Sequence, residues 1–253
     1  AGVKAAVGVA VGVPAGDGAA AASADSPPVT RSDARSAGLL WHDVGAPRSA
    51  FPEDLVARQA PEVARRLLGM RLRSTVGGER CEGVVVETEA YLGPEDPASH
   101  ASTRSGITNR NRMMFEAPGV AYVYRIYGVH WCLNVITGAE GEGQGVLIRG
   151  VEPTVGVESM ARRRHGRRPL AAGPGRAAQA LGVDGSLNGH HLSHPPLELL
   201  TGWTIADADV AITGRVGVAK AAEWPLRFFV RGSTGVSKAS PHPGQRDALP
   251  PSP

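Results

Sequence analysis

The sequence is poor in cysteine, lysine and long apolar runs, and each shortage excludes a class of protein. Two cysteines, Cys81 and Cys132, are too few for a disulfide scaffold, so a reducing compartment is expected. No stretch contains the ~20 predominantly apolar residues that a membrane-spanning helix requires. Lysine supplies only three of the 27 cationic side chains, so almost all of the positive charge is arginine; the formal net charge is +3.

Aromatic residues are absent before Trp41, and residues 1–26 are nearly all alanine, glycine, valine and serine. Such a segment buries too little apolar surface to offset its ordering entropy, and Pro14 interrupts any signal-peptide core. The last residues are rich in proline and serine. The sequence therefore predicts low-complexity tails over 1–37 and 238–253 around one domain at 38–237, in a protein of the cytoplasm.

Tyrosine is confined to one part of the chain. All four tyrosines lie between positions 91 and 127, and Tyr91 closes the run Glu87-Thr88-Glu89-Ala90-Tyr91. One group of arginines occupies 104–112 and a second occupies 162–176, the latter without an acidic residue. Either group alone is typical of a solvated surface, but together they favour a polyanionic partner. Carboxylates, aromatic rings and arginines in one stretch suit chemistry on a nucleic-acid base.

Hydrophobic periodicity and turn residues predict a mixed order of helices and strands. Two β-hairpins are expected, one turning at Gly77-Gly78 and one at Gly128, and residues 184–203 are predicted to be loop. The predicted helices are 52–68, 154–164 and 175–181, and the predicted strands are 70–76, 80–91, 120–127, 130–137, 144–152, 208–218 and 225–230. The stretch 92–118 is a long connection of the kind that is usually functional or disordered.

Alternation along the strand ending at Tyr91 places Glu87, Glu89 and Tyr91 on one face. Two carboxylates two residues apart repel each other, which drives their pKa values apart and suits a general base beside a partly protonated neighbour. The alternative is that both glutamates form ion pairs with arginines on a sheet surface. The strand by itself does not decide between these interpretations.

The second hairpin places Tyr127 at its tip, where a large ring contributes little to a core. Such a ring could act as a wedge between base pairs, or it could pack back onto its own sheet. Asn134 and Arg149 are isolated polar residues within apolar strands. Because buried polar groups need partners, these two side chains are candidates to line a pocket.

The chain resembles the alkyladenine (3-methyladenine) DNA glycosylases over residues 38–238. The resemblance is carried by VVVETEAYLGPEDPASHAS and TNRNRMMFEAPGVAYVYRIYGVHWCLNV, followed by QGVLIRGVEP, GPGRAAQALGV, ITGRVGV and WPLRFFVRG. It implies a single α+β domain built on a curved antiparallel β-sheet with surrounding helices and a protruding β-hairpin. It also implies an enzyme that flips damaged purines out of double-stranded DNA and hydrolyses the N-glycosidic bond.

The resemblance also implies a role for individual residues. Glu89 would be the general base that deprotonates water, and Arg149 would position both the water and the carboxylate. Tyr127 would fill the gap left by the flipped nucleotide. The remaining implied residues are the base pocket, Tyr91, His100, Tyr124 and Asn134, and the DNA-backbone contacts, Arg110, Arg176 and His130. Asn134 would disfavour normal guanine, Tyr122 is expected to be sheet packing, and no role follows for Glu87.

Other inferences concern cofactors, mechanism and assembly. No cofactor or metal is expected, because His190, His191 and His194 lie close together in a loop without cysteine or acidic partners. Glycosylases that also cut the strand use an amine, and no lysine lies between Lys4 and Lys220, so a monofunctional enzyme is predicted unless Lys220 or the N-terminal amine reaches the pocket. The protein is also expected to be a monomer. Gly173-Pro174-Gly175 lacks the residues of a phosphate loop.

Two rival functions remain to be weighed. A non-enzymatic minor-groove DNA-binding protein would use the Tyr127 hairpin without Glu89 chemistry. A glycoside hydrolase would need carboxyl groups on opposite sides of a bond, which same-face neighbours such as Glu87 and Glu89 do not provide.

Overall fold

A computed structural model describes residues 49–102 and 106–238. Apart from Lys238, the tails predicted at 1–37 and 238–253 lie outside these residues, as does Arg104. Within these residues, eight strands form one antiparallel sheet. They are β1 (Arg71–Ser74), β2 (Cys81–Tyr91), β3 (Ala121–Ile126), β4 (His130–Thr137), β5 (Gln144–Val155), β6 (Leu197–Leu200), β7 (Val210–Thr213) and β8 (Arg227–Val230).

Strand β2 is the centre of the sheet, whose order is β3-β4-β5-β2-β1-β6. Along one side β2 pairs with β5, and along the other its first half pairs with β1 and its second half with β8. The sheet curls into a half-barrel, and β2 has two successive partners, β1 and β8, along one side. Strand β7 pairs with β8 and extends the sheet beyond it. The predicted α+β fold with a curved antiparallel sheet is confirmed.

The sheet is covered by short helices. Among the described residues, the α-helices are α1 (Glu53–Val56), α2 (Ala60–Arg66), α3 (Val157–Arg163) and α4 (Pro174–Leu181), and 3-10 turns occupy Val76–Gly78, Arg112–Phe115, Gly185–Leu187 and Asp207–Asp209. Helix α2 buries Ala60, Val63 and Ala64 against β2 and β5. This apolar layer covers one face of β2, in which every residue except Tyr91 is buried.

Both predicted hairpins form, since β1 pairs with β2 and β3 pairs with β4. The single helix predicted at 52–68 is wrong, because the chain breaks and restarts at α2, whose first turn holds Pro61. Proline lacks the N–H that a helix interior needs, so it is accommodated only at a helix start. The predicted loop 184–203 contains β6, which pairs with β1.

Two compensating bulges interrupt the β2–β5 pair at the site of the polar residues. Val85 faces Val151 and Glu87 faces Gly150, so Val86 is an extra residue on β2. Glu87 faces Gly150 and Thr88 faces Ile148, so Arg149 is an extra residue on β5. A bulged residue leaves the regular alternation and has its side chain re-aimed. The bulge turns Arg149, a lone polar residue in an apolar strand, towards the carboxylates of β2.

Within the described ranges, no helix has the length and apolar character to cross a bilayer. No cluster of three or more metal-ligating side chains forms there either. The ring of His190 instead approaches the carbonyl oxygens of His194 and Leu197, each at 2.9 Å, and His191 contacts the Ser193 hydroxyl at 2.8 Å. Local hydrogen bonds therefore account for this histidine loop.

Candidate active site

A cavity of about 510 Å³ opens between the β3–β4 hairpin, the 92–114 connection and the segment after β7. The sequence-predicted residues that line it are Tyr91, His100, Arg110, Tyr124, Tyr127, Asn134 and Arg149. Residues not predicted also line it, among them Met114, Tyr122, Cys132, Leu147 and the run Val216–Lys220. Arg176 and His130 are exposed and lie outside this lining. Positions far apart in sequence thus converge on one concave surface.

The carboxylate of Glu89 is buried next to this cavity and is held by three groups. The backbone N–H of Val216 donates to Oε1 at 2.7 Å, and the Tyr91 hydroxyl donates to Oε2 at 3.0 Å. The Arg149 guanidinium forms an ion pair with Oε2 at 3.3 Å. These contacts fix the orientation of the carboxylate, and Arg149, Tyr91 and Val216 all belong to the cavity lining.

Burial raises the pKa of Glu89 above the ordinary carboxyl value. The Arg149 guanidinium, the Val216 N–H and the Tyr91 hydroxyl lower this pKa but offset only part of the effect, and Glu87 raises it further. A raised pKa makes a carboxylate a better proton acceptor while it remains ionised above that value. Glu89 therefore has the environment expected of a general base.

Glu87 is also fully buried, and it is the centre of a hydrogen-bond network. Its Oε1 accepts from Arg149 Nε at 3.1 Å, Arg227 Nε at 2.8 Å and the Ser237 hydroxyl at 2.7 Å. Its Oε2 accepts from the Ser237 N–H at 2.7 Å. Both glutamates are therefore paired with arginine, but in the protein interior rather than on a sheet surface.

The aromatic wall of the cavity is built from His100, Tyr122 and Tyr124. The two tyrosine rings stack with centroids 5.3 Å apart, and His100 meets Tyr124 edge-on at 4.5 Å. Tyr122 is buried, as its predicted packing role requires, and its hydroxyl also lies 2.8 Å from His100 Nδ1. Burial, followed by Arg110, lowers the pKa of His100, which favours a neutral imidazole beside the cavity.

Tyr91 rests on a buried ion pair that sequence patterning did not reveal. Arg215 lies 4.9 Å from the centre of the Tyr91 ring and binds both carboxylate oxygens of Asp96, at 2.5 and 2.9 Å. Asp96 belongs to the 92–101 loop that carries His100, and Arg215 immediately precedes Val216. The pair therefore joins two segments that line the cavity. A lone aspartate and a lone arginine 119 positions apart gave no local signal.

Tyr127 is 83% exposed at the tip of the hairpin. Its φ is 52°, that of Gly128 is 69°, and the Val129 N–H donates to the Ile126 carbonyl at 3.1 Å. Positive φ at both central positions is the pattern of a type I′ hairpin turn, and it is unfavourable for a tyrosine. The fold thus presents an aromatic ring in a strained backbone conformation at the cavity edge rather than packing it on the sheet.

Asn134 and the cations take distinct positions. Asn134 is buried, and its amide donates to the Tyr122 carbonyl at 3.0 Å, so its pocket location agrees with the rule that buried polar groups are paired. Arg110 is exposed on the cavity lining. Lys220 is also exposed and lines the cavity, so the structure places an amine at the pocket, which weakens the prediction of a monofunctional enzyme.

Comparison with known proteins agrees with this arrangement. Residues 54–234 match the family model described as Methylpurine-DNA glycosylase (MPG). A relative from Rhodopseudomonas palustris (strain HaA2), named "Putative 3-methyladenine DNA glycosylase", is 46% identical over 183 residues, 72% of this chain and 87% of its own. Relatives of the same name from Methanoculleus marisnigri and Myxococcus xanthus are 45% and 44% identical, covering 74% and 78% of this chain and 98% and 97% of their own. The chain therefore belongs to the methylpurine-DNA glycosylase family and is a DNA glycosylase of DNA repair.

Proposed function

We propose that the protein removes alkylated or deaminated purines from duplex DNA, with 3-methyladenine, 7-methylguanine, hypoxanthine and ethenoadenine as the substrate class. Water activated by Glu89 hydrolyses the N-glycosidic bond and leaves an abasic site. The observation that carries this proposal is the buried Glu89 carboxylate, oriented by Val216, Tyr91 and Arg149 beside an aromatic cavity. A cavity of about 510 Å³ lies within the usual range for small-molecule sites.

The aromatic wall suits a flat, electron-poor base. Adenine methylated at N3 and guanine methylated at N7 carry positive charge in DNA, so they are attracted to tyrosine faces and are also good leaving groups. The lowered pKa of His100 supports the same substrate, because a neutral imidazole does not repel a cationic base. Asn134, held by its bond to the Tyr122 carbonyl, would crowd the 2-amino group of normal guanine.

The proposed reaction uses Glu89 twice. Its carboxylate accepts a proton from the attacking water and also stabilises the positive charge that develops on the sugar in an oxocarbenium-like transition state. Arg149 holds Glu89 Oε2 and lines the cavity, so it would orient both the carboxylate and the water. A raised pKa of Glu89 favours proton transfer once the group is ionised.

Access to the base requires that the nucleotide leave the helix. Tyr127, exposed at the hairpin tip, would occupy the vacated space in the stack. Arg110 at the cavity edge, with the exposed Arg176 and His130, would hold backbone phosphates.

We further propose that the enzyme is monofunctional. Lys220 lines the cavity, so this proposal depends on its exposure rather than on the absence of lysine. Lysines that form Schiff bases are activated by desolvation or by a neighbouring cation, and an exposed ammonium is not desolvated. Borohydride would trap a Schiff base between the protein and an abasic duplex. Trapping that is lost in Lys220→Ala would overturn the monofunctional proposal.

The main experiment incubates the protein with duplex DNA carrying one deoxyinosine or one ethenoadenine, followed by alkali. We expect cleavage at the lesion only after alkali treatment, and loss of that cleavage in Glu89→Gln with retained binding. Glu82→Gln is the matched control, since Glu82 is also buried on β2, but its partners Arg71, Arg73 and Arg80 lie outside the cavity lining, whereas those of Glu89 belong to it. An unchanged excision rate in Glu89→Gln would refute the assignment of Glu89 as the general base.

A further inference from the structure

A compact group of arginines forms where α3 meets α4. The Arg164 guanidinium donates to the Gln179 side chain, and the Gln179 amide donates to the Arg163 carbonyl at 2.8 Å. Arg176 lies three residues before Gln179 on α4, so the two share a face of that helix. Arg167 follows Arg164 and donates its N–H to the Arg164 carbonyl at 3.0 Å. Arg164, Arg167 and Arg176 are here named the junction arginines.

The junction arginines have no acidic partner among residues 49–102 and 106–238. Their neighbours differ, because Arg162 and Arg163 both pair with Glu79. Arg164 is only 8% exposed, and its Nε has no hydrogen-bond partner within the same ranges. Burial, followed by Arg176 and Arg167, lowers the pKa of Arg164, so the three cations repel one another. A buried cation without a counter-charge is unfavourable unless an anion binds.

The junction arginines lie next to the candidate active site. The Gly173 N–H donates to the Arg149 carbonyl at 2.8 Å, and the next residue, Pro174, lines the cavity. A side chain on Gly175 would come within 2.9 Å of His130 Cβ, next to the turn of the Tyr127 hairpin. The start of α4 is thus held between β5 and β4, and Arg176 follows directly. A positively charged surface therefore extends from the cavity edge along the α3–α4 junction.

We propose that the junction arginines form one phosphate-binding site for the DNA backbone beside the flipped nucleotide, with Arg164 and Arg167 acting together with Arg176. This inference rests on the proposed function. Guanidinium groups bind phosphate oxygens through paired charge-assisted hydrogen bonds, and the bound phosphate supplies the counter-charge that the protein does not. Arg167 and Arg176 are exposed and supply the donors that a phosphate can reach, whereas Arg164, whose unpartnered Nε is buried, adds an uncompensated positive charge beside them.

The test measures affinity for a duplex carrying a tetrahydrofuran abasic analogue between about 50 and 200 mM salt, where each phosphate contact contributes about −0.9 to the slope of log K against log salt. Arg167→Gln should weaken binding and reduce the magnitude of that slope by about 0.9, and Arg176→Gln should do the same. Arg162→Gln is the matched control, because Arg162 is an exposed arginine of α3 already paired with Glu79.

Two results would overturn the site. One is a salt dependence of DNA affinity in both Arg167→Gln and Arg176→Gln that has the same slope as in the wild type. The other is a change of slope in Arg162→Gln as large as that in Arg167→Gln and Arg176→Gln, which would show a general effect of charge. Either result leaves base excision by the wild-type protein intact, so the proposed function would stand. Failure of the wild-type protein to excise any damaged purine would instead refute the proposed function.

A second inference comes from the network around Glu87. We infer that Glu87 is a positioning residue for the reaction, because it holds Arg149 Nε while the same guanidinium reaches Glu89. Its other partners, Arg227 and the N–H and hydroxyl of Ser237, hold Glu87 itself from β8 and the segment after it. Arg149 is therefore held by both glutamates, and Glu87 determines the position at which Arg149 contacts Glu89, the proposed general base.

Glu87→Gln is expected to lower the single-turnover excision rate at least tenfold with little change in lesion affinity. Glu89 faces Arg149, Tyr91, Tyr124, Cys132 and the Val216 N–H. Loss of the negative charge of Glu87 also lowers the pKa of Glu89, so the acidic limb of the rate profile should move to lower pH. Glu82→Gln, in the distant Arg71–Arg73–Arg80 network, serves as control and should leave both the rate and the profile unchanged. A Glu87→Gln profile that superimposes on that of the wild type would refute this role.

Discussion

The Asp96–Arg215 ion pair provides the sharpest stability prediction. Both side chains are fully buried, and both carboxylate oxygens accept from Arg215. In Asp96→Asn the arginine stays buried without a counter-charge. Removing one partner of a buried ion pair destabilises a protein by about 3–5 kcal/mol. Arg215 retains bonds to the carbonyls of Ala90 and Ala221, both at 3.2 Å, so we expect the lower half of that range.

Urea and thermal unfolding measure this effect. In a domain of roughly 150–250 residues each kcal/mol shifts Tm by about 2–4 °C, so a loss of about 3–4 kcal/mol should lower Tm by about 6–16 °C. Glu62→Gln is the control, because Glu62 forms only exposed pairs with Arg58 and Arg66, each contributing about 0.3–0.5 kcal/mol.

A loss below about 1 kcal/mol in Asp96→Asn would refute the reasoning, since it would show that the buried arginine needs no counter-charge. The double variant Asp96→Leu with Arg215→Met separates packing from charge. Replacing a buried pair by apolar residues is often neutral for stability. We expect this variant to recover most of the lost free energy of unfolding, yet to excise slowly, because Arg215 also contacts Tyr91 and precedes Val216.

Three further predictions concern the site. Burial raises the pKa of Glu89, so the single-turnover excision rate should fall as pH drops through that raised value. Because the pKa of Glu89 is higher in the folded than in the unfolded protein, ionisation of Glu89 destabilises the fold at pH values above the ordinary carboxyl pKa. Glu89→Gln should therefore raise the free energy of unfolding at pH 7, as measured by urea titration. Below about pH 4, where Glu89 is protonated in both states, the variant and the wild type should be equally stable. Tyr127→Ala should change the free energy of unfolding by no more than about 0.5 kcal/mol, because the ring is exposed. The same substitution should slow excision from duplex DNA roughly tenfold to a hundredfold. Equal excision rates for the variant and the wild type would contradict the role of Tyr127. In Gly150→Ala the new Cβ would lie 2.3 Å from the Gly235 carbonyl oxygen and 3.0 Å from Glu87 Cβ. We therefore expect the free energy of unfolding in urea to fall by about 1–3 kcal/mol and excision to become slower. Wild-type stability and rate would show that the segment after β8 can move away from the new methyl group without cost.

Local sequence patterns pointed to Glu89, Tyr91, Asn134 and Arg149, whereas His100, Tyr124 and Arg110 followed only from the resemblance to the family. Alternation placed Glu89 and Tyr91 on one face, and the 3.0 Å bond between them agrees. Isolated polar residues in apolar strands pointed to Asn134 and Arg149, which line the cavity. The tyrosine-rich hairpin formed at the predicted turn.

The unpredicted features depend on contacts between distant segments. Val216 holds Glu89 through a backbone N–H, which no side-chain pattern can indicate. Asp96 follows β2 and Arg215 follows β7, so their contact depends on the pairing of β8 with both strands. Strand β6 is four residues long and follows two prolines, so its pairing with β1 is specified by the surrounding fold rather than by alternation. Periodicity reports which face a residue occupies, not which distant residue meets it.

The paired bulges at Val86 and Arg149 have a consequence for insertions and deletions. On either side of them β2 and β5 keep the same register, because one extra residue on each strand cancels the other. Deleting Val86 alone would slide Glu89 one position against β5 and turn it to the opposite face of the sheet. Deleting Val86 together with Arg149 would restore the register but remove the guanidinium. Members of this family should therefore tolerate length changes in loops but keep the two bulges next to each other in the β2–β5 pair. Single-residue deletions at each position from 84 to 90 are expected to abolish excision.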